Sequence, residues 1–178
     1  MYDFIAVDID DVIRNLMGKA VELHNVNFPS RPIKHSDIIS WSLAAVSPIG
    51  GLIYDFLFQA NVEELYLESE CMPYVHEGLN YLKNASKAVV LVSNQPTQQR
   101  KDLTLTWVSK QGLNVDGVIF KENKEELDFD LIIDDKQQTL DKAGPDRGIR
   151  FLRPWNERCE WSGLSMRSWA DIANIIKE

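Results

Sequence analysis

Carboxylates stand at the ends of two apolar runs. Phe4–Val7 leads into Asp8-Ile9-Asp10-Asp11, and Leu131-Ile132-Ile133 leads into Asp134-Asp135-Lys136. Brought together in a low-dielectric setting, these acids repel one another unless protons or a cation lie between them. A hard divalent cation is implied. Oxygen ligands without clustered His or Cys, and an anionic substrate, favour Mg²⁺ over zinc. A further apolar run, Ala88–Val92, ends in Ser93-Asn94-Gln95-Pro96-Thr97. Hydroxyls, amides and free backbone N–H groups ahead of a helix are a place to hold an anion, and phosphate is the natural guest. Carboxylates with a metal beside an anion-holding turn suggest phosphoryl transfer with an aspartate nucleophile.

Something must bring these strand ends together. Five short apolar runs read as buried strands: Phe4–Val7, Ala88–Val92, Gly117–Phe120, Leu131–Ile133 and Ile149–Leu152. They alternate with helical stretches, the pattern of a parallel sheet covered on both faces, whose ligands bind beyond the carboxyl ends of the strands. Pro73 precedes a helix with Val75, Leu79 and Leu82 on one stripe, and Leu103, Trp107 and Val108 mark another that ends before Gly112. Ser168-x-x-Asp171 opens like a capping box, with Trp169, Ile172, Ala173 and Ile176 on the following stripe. Residues 16–72 are far more than one crossover needs, and they carry Trp41, Pro48, Gly50-Gly51, Tyr54, Phe56, Phe58 and Tyr66. The expected organisation is a core of residues 1–15 and 73–178 with an inserted helical subdomain over 16–72.

Composition sets the frame. With 178 residues, 44% of them hydrophobic and 26% charged, the chain can bury enough apolar surface to fold as one unit. A net charge of −8 is the wrong sign for a protein that gains affinity by neutralising a polyphosphate backbone, so long nucleic acid is not expected as a partner. Cys71 and Cys159 show no disulfide or zinc spacing, and no apolar run approaches the roughly 20 residues of a membrane span. A cytoplasmic protein without a membrane partner is the expectation.

The ordered set Val-Asp8-Ile-Asp10-Asp-Val, Leu-Val-Ser93-Asn94, Lys124 and Leu-Ile-Ile-Asp134-Asp135 resembles the haloacid dehalogenase (HAD) superfamily of phosphotransferases. Finer features resemble its 5′(3′)-deoxyribonucleotidase family: the size of the insertion, Trp41 early in it, Glu70-x-x-Pro73, Trp107-Val108, and the closing Arg167-Ser168-Trp169-Ala170-Asp171. The resemblance implies a HAD-like Rossmannoid α/β core with a small helical cap. Asp8 would attack phosphorus and carry an aspartyl-phosphate, while Asp10 would protonate the leaving oxygen, later activate water, and lend its carbonyl to the metal. Asp134 and Asp135 would complete a Mg²⁺ site with Asp8, at least one of them directly. Ser93 and Asn94 would hold phosphate oxygens beside a lysine.

That lysine is where the chain departs from the resemblance. Spacing from Trp107 puts it at Thr104, which carries no charge; Lys101 and Lys124 are the replacements, with Lys124 favoured. Asp11 stands where a glycine is frequent. Trp41 and Tyr66 read equally as core of the insertion or as a platform for a nucleobase. Arg14 could face substrate or solvent, and the three histidines show no ligand spacing. The implied function is Mg²⁺-dependent hydrolysis of nucleoside monophosphates. A sugar-phosphate phosphatase, a polynucleotide-end phosphatase and a non-catalytic nucleotide binder remain alternatives. Nothing in the sequence chooses between a monomer and a homodimer.

Overall fold

The computed structural model of the protein describes residues 1–176. In chain order its elements are β1 (Tyr2–Asp8), α1 (Leu16–Asn27), α2 (Leu52–Asp55, widening into a π turn over Phe56–Ala60), α3 (Val62–Leu67), α4 (Val75–Ala85) and β2 (Ser86–Ser93). There follow α5 (Gln98–Gln111), β3 (Gly117–Phe120), β4 (Leu131–Asp134), α6 (Gln137–Ala143), β5 (Gly148–Phe151), β6 (Leu164–Met166) and α7 (Ile172–Ile175). The strands form one sheet in the order β3-β2-β1-β4-β5-β6, and every pairing is parallel. All five strands expected from the sequence are present. The sixth, β6, was not legible. It is a three-residue edge strand whose Leu164 is exposed, too short to show a burial period.

Side chains along β1 alternate between two apolar layers. Ile5 and Val7 join Leu79, Leu82, Trp107 and Trp169 on one face, while Ala6 joins Val92, Phe129 and Ile132 on the other. Helix α4 buries the expected Val75, Leu79 and Leu82 stripe. Helix α5 starts at Thr97, whose Oγ1 accepts from the Arg100 N–H at 3.3 Å, and stops at Gly112, which adopts φ 61°. The Ser168 capping box forms around the turn Trp169–Asp171.

Residues 16–72 carry α1 to α3 and gather a separate apolar cluster that includes Leu23, Ile38, Ile53, Leu57 and Leu65. Every fully packed member of that cluster lies in this segment except Trp155. Where the segment leaves and rejoins the core, its two ends pair. The Asn15 N–H donates to the Glu70 carbonyl at 2.9 Å and the Met72 N–H to the Ile13 carbonyl at 2.7 Å. Buried indoles tie this neck down. Trp107 Nε1 donates to the Ser69 carbonyl and Trp169 Nε1 to the Val12 carbonyl, each at 2.7 Å. No described helix is long and apolar enough to cross a membrane.

Candidate active site

Register sets the geometry of the acids. Val7 pairs with Ile133, so the next residues, Asp8 and Asp134, emerge side by side at the carboxyl end of the sheet, and Val92 opposite Asp8 places Ser93 one step beyond. Asp8, Asp134 and Asp135 are all buried and each offers an oxygen within 4.8 Å of the others. Lys124, on a 3-10 turn between β3 and β4, inserts its ammonium among them, 2.7 Å from Asp8 Oδ1 and 2.8 Å from Asp134 Oδ2. Burial acts to lower the Lys124 pKa, but Asp134 and Asp8 outweigh it and hold the ammonium above its ordinary range. Burial pushes the Asp8 carboxyl up to about 7 against the pull of Lys124, with Asp134 and Asp10 adding to the rise. Asp135 is held well above the ordinary carboxylate range by burial and by Asp8, Asp134 and Asp11.

The oxygens of the acidic cluster are unequally committed. Asp134 accepts from the Lys136 N–H through Oδ1 and from Lys124 through Oδ2. Asp135 accepts from Trp155 Nε1 through Oδ2, while its buried Oδ1 has no partner among the described residues. One ammonium against three buried carboxylates, with an orphaned oxygen among them, is a donor set that fits a hard divalent cation.

The Asp10 carboxylate turns away from the cluster. Its Oδ1 accepts from Arg14 Nε at 2.8 Å and Nη2 at 2.5 Å, and its Oδ2 accepts from Gln95 Nε2 at 2.8 Å. Gln95 also donates to Ser93 Oγ and accepts from the Tyr66 hydroxyl, so it joins Asp10, the end of β2 and the inserted helices. Arg14 has no exposed surface; its guanidinium lies over the Tyr66 ring at 4.4 Å and the Trp107 ring at 5.2 Å. Arg14 Nη2 donates to Thr104 Oγ1 at 3.2 Å. Position 104 thus faces a buried guanidinium, where a lysine would set one cation against another. The structure places Arg14 inside, where the sequence left it undecided.

The remaining candidates separate clearly. Ser93 is buried at the end of β2 and Asn94 is exposed beside it, and both line a cavity of about 230 Å³ with Asp8, Asp10, Lys124 and Trp41. Lys101 is elsewhere, its ammonium 5.9 Å from the centre of the Phe120 ring and absent from this lining. Trp41 is half exposed over the cleft, whereas Tyr66 is buried. Both also line a second cavity of about 210 Å³, with Leu43, Tyr54, Phe58 and Arg100. The two cavities share Asp10, Trp41 and Asn94. Asp11 sits at φ 61°, which explains why glycine suits that position, and its Oδ1 accepts from the Met17 N–H.

Sequence reasoning placed Gln95 only within the anion-holding stretch after β2, and it missed Trp155 and Arg153, whose Nε donates to the Asp11 carbonyl at 2.6 Å. Gln95 had a faint signal in its place after β2. Trp155 and Arg153 had none, since they act from the stretch after β5, far along the chain.

A parallel α/β sheet with acids at two adjacent strand ends and a helical insertion after the first defines the HAD class. Solved structures of that class resemble the chain at low identity. A HAD-superfamily hydrolase of subfamily IA, variant 1, from Geobacter sulfurreducens aligns with TM-score 0.58 and 10% identity over 98% of this chain and 96% of its own. A HAD-hydrolase from Bacillus subtilis, solved bound to magnesium, gives 0.60 and 10% over 99% of each chain. A predicted phosphoglycolate phosphatase from Haemophilus somnus gives 0.60 and 14% over 99% and 98%. No match was found among the curated proteins. Residues 3–178 match the model of the 5′ nucleotidase, deoxy (Pyrimidine), cytosolic type C protein family, and the chain belongs to that family. It is a phosphoric monoester hydrolase of the 5′-nucleotidase type.

Proposed function

We propose that the enzyme hydrolyses nucleoside monophosphates with Mg²⁺ held by Asp8, Asp135 and Asp134, and that pyrimidine deoxynucleotides, which the family description names, are its preferred substrates. The observation that carries this reading is the pair of cavities that share Asp10, Trp41 and Asn94. One brings the carboxylates of Asp8 and Asp10 together with Ser93 and Lys124 and suits a phosphoryl group; the other is walled by aromatic side chains and suits a planar base. A sugar phosphate would leave the aromatic chamber unused. The family's cytosolic description accords with the cytoplasmic setting expected from composition.

The roles follow from placement. Asp8 is the nucleophile, and Lys124 beside it stabilises its ionised form and the charge on the phosphoryl oxygens. Ser93 Oγ and the Asn94 backbone position the phosphoryl group. Asp10 gives its proton to the leaving oxygen and then takes one from water as the aspartyl-phosphate on Asp8 is hydrolysed. In the structure Arg14 and Gln95 hold its carboxylate aside, so this role requires Asp10 to turn toward the substrate. When bound, the cation supplies charge neutralisation at the phosphoryl oxygens. Residues 16–72 act as the cap that closes water out of the cleft and furnishes Trp41, Tyr54, Phe58 and Tyr66 to the base.

Phosphate release from a panel of deoxynucleoside and ribonucleoside monophosphates, sugar phosphates and a 3′-phosphorylated oligonucleotide tests this, with Mg²⁺ or EDTA. Turnover of monophosphates that EDTA and Asp8→Asn each abolish is the expected result. A protein that releases no phosphate, yet melts at higher temperature with a nucleotide and Mg²⁺, would instead be a binder.

A further inference from the structure

Trp155 is not part of any step above, yet it touches both halves of the site. It lies after β5, is 5% exposed, and its indole N–H donates to Asp135 Oδ2 at 2.9 Å. Asn156 Nδ2 donates to the Asp135 carbonyl at 2.7 Å, so this residue is fixed at backbone and side chain alike. With Oδ2 tied to a buried donor, the carboxylate cannot rotate freely, and the unpartnered Oδ1 is left for the cluster with Asp8 and Asp134. The same indole belongs to the apolar cluster formed by residues 16–72, and its ring lies 5.5 Å from both Trp41 and His35. Trp41 in turn lines the cleft.

We infer that Trp155 is a positioning residue: it aims Asp135 at the divalent cation and links occupancy of that site to the Trp41 segment over the substrate cleft. The inference rests on the Mg²⁺ reading of the proposed function. A neutral donor suits the task, because a second cation at Oδ2 would weaken the pull of the carboxylate on a metal, whereas an indole N–H orients it without neutralising it. The ring offers a rigid face on which Trp41 and His35 settle, so displacement of Asp135 reaches them through direct contact rather than through the backbone.

The test is Mg²⁺ binding to the full chain by calorimetry, for wild type, Trp155→Phe and Trp155→His. A parallel measurement follows the indole N–H resonances of the wild type by NMR as Mg²⁺ is added. Phenylalanine keeps most of the packing and removes the donor, and loss of such an outer partner weakens metal binding by about 10–100-fold. Trp155→Phe is expected to raise the Mg²⁺ Kd by that factor, with Trp155→His, which retains a ring N–H, recovering part of it. In the wild type the Trp155 and Trp41 indole signals should both move with Mg²⁺. A Trp155→Phe protein that binds Mg²⁺ as tightly as wild type overturns the inference, as does a Trp155 signal that stays fixed while wild type binds. If Trp155→Phe does not fold, the wild-type spectra decide. Wild type that binds no Mg²⁺ fails one step earlier, overturning the metal reading and this inference with it.

Discussion

At the scale of the residue, the site is a problem in placing cations. Three buried carboxylates share one lysine, and a second cation, Arg14, is spent on Asp10 and on Thr104. Lys124→Met removes the ammonium that touches Asp8. It should lower kcat by about 10²–10³-fold, the loss seen when one preorganised donor to the reacting charge is deleted, measured as single-turnover phosphate release. Thr104→Lys makes the opposite error. It sets an ammonium beside a buried guanidinium and should cost about 3 kcal/mol in urea melts, a typical penalty for an uncompensated buried charge. Adding Arg14→Ala to Thr104→Lys should return much of that loss, and a double-mutant cycle would show the coupling. The acids were legible in sequence because they directly follow apolar runs. The lysine was only half legible, since Lys101 and Lys124 differ not in type but in which element carries them.

At the scale of the element, small contacts decide how tightly the frame is drawn. Gly78 lies on α4 against the buried Trp169, where an added Cβ would stand 2.4 Å from Cε3 of the indole. Gly→Ala in a helix interior ordinarily gains about 0.5–1 kcal/mol. Here Gly78→Ala should instead cost about 1–3 kcal/mol through overpacking, so thermal melts read the sign directly. The expected strands and the stripes of α4 and α5 came from periodicity, which reports burial on one face. Periodicity is silent about β6, about the short turn that carries Lys124, and about Trp155. These depend on contacts between residues ten or more apart in the chain, or on segments too short to repeat.

At the scale of the whole molecule, the metal-free protein stores unfavourable charge at one end of the sheet. Burial holds Asp11 up at about 7, against the Met17 N–H and Arg153, and Asp8 rises to a similar value; both have ordinary values of 3.8. Carboxyls raised by folding bind protons more tightly in the native state. Their contribution to stability is therefore complete below about pH 4 and is lost as pH rises through about 7. With EDTA present, Tm should fall across that window, and Asp11→Asn should flatten the slope while keeping a side-chain oxygen for Met17. Addition of Mg²⁺ at pH 8 should raise Tm in proportion to the logarithm of its concentration above Kd. The paired neck has a bearing of another kind. Chain enters the helical segment beside Ile13 and Asn15 and leaves it beside Glu70 and Met72, joined by backbone hydrogen bonds and pinned by the indoles of Trp107 and Trp169, which both lie outside the segment. For an engineer, or for a lineage changing its diet, that is a splice point: a helical segment of different length and lining could be exchanged there while the sheet and its acids stay where they are.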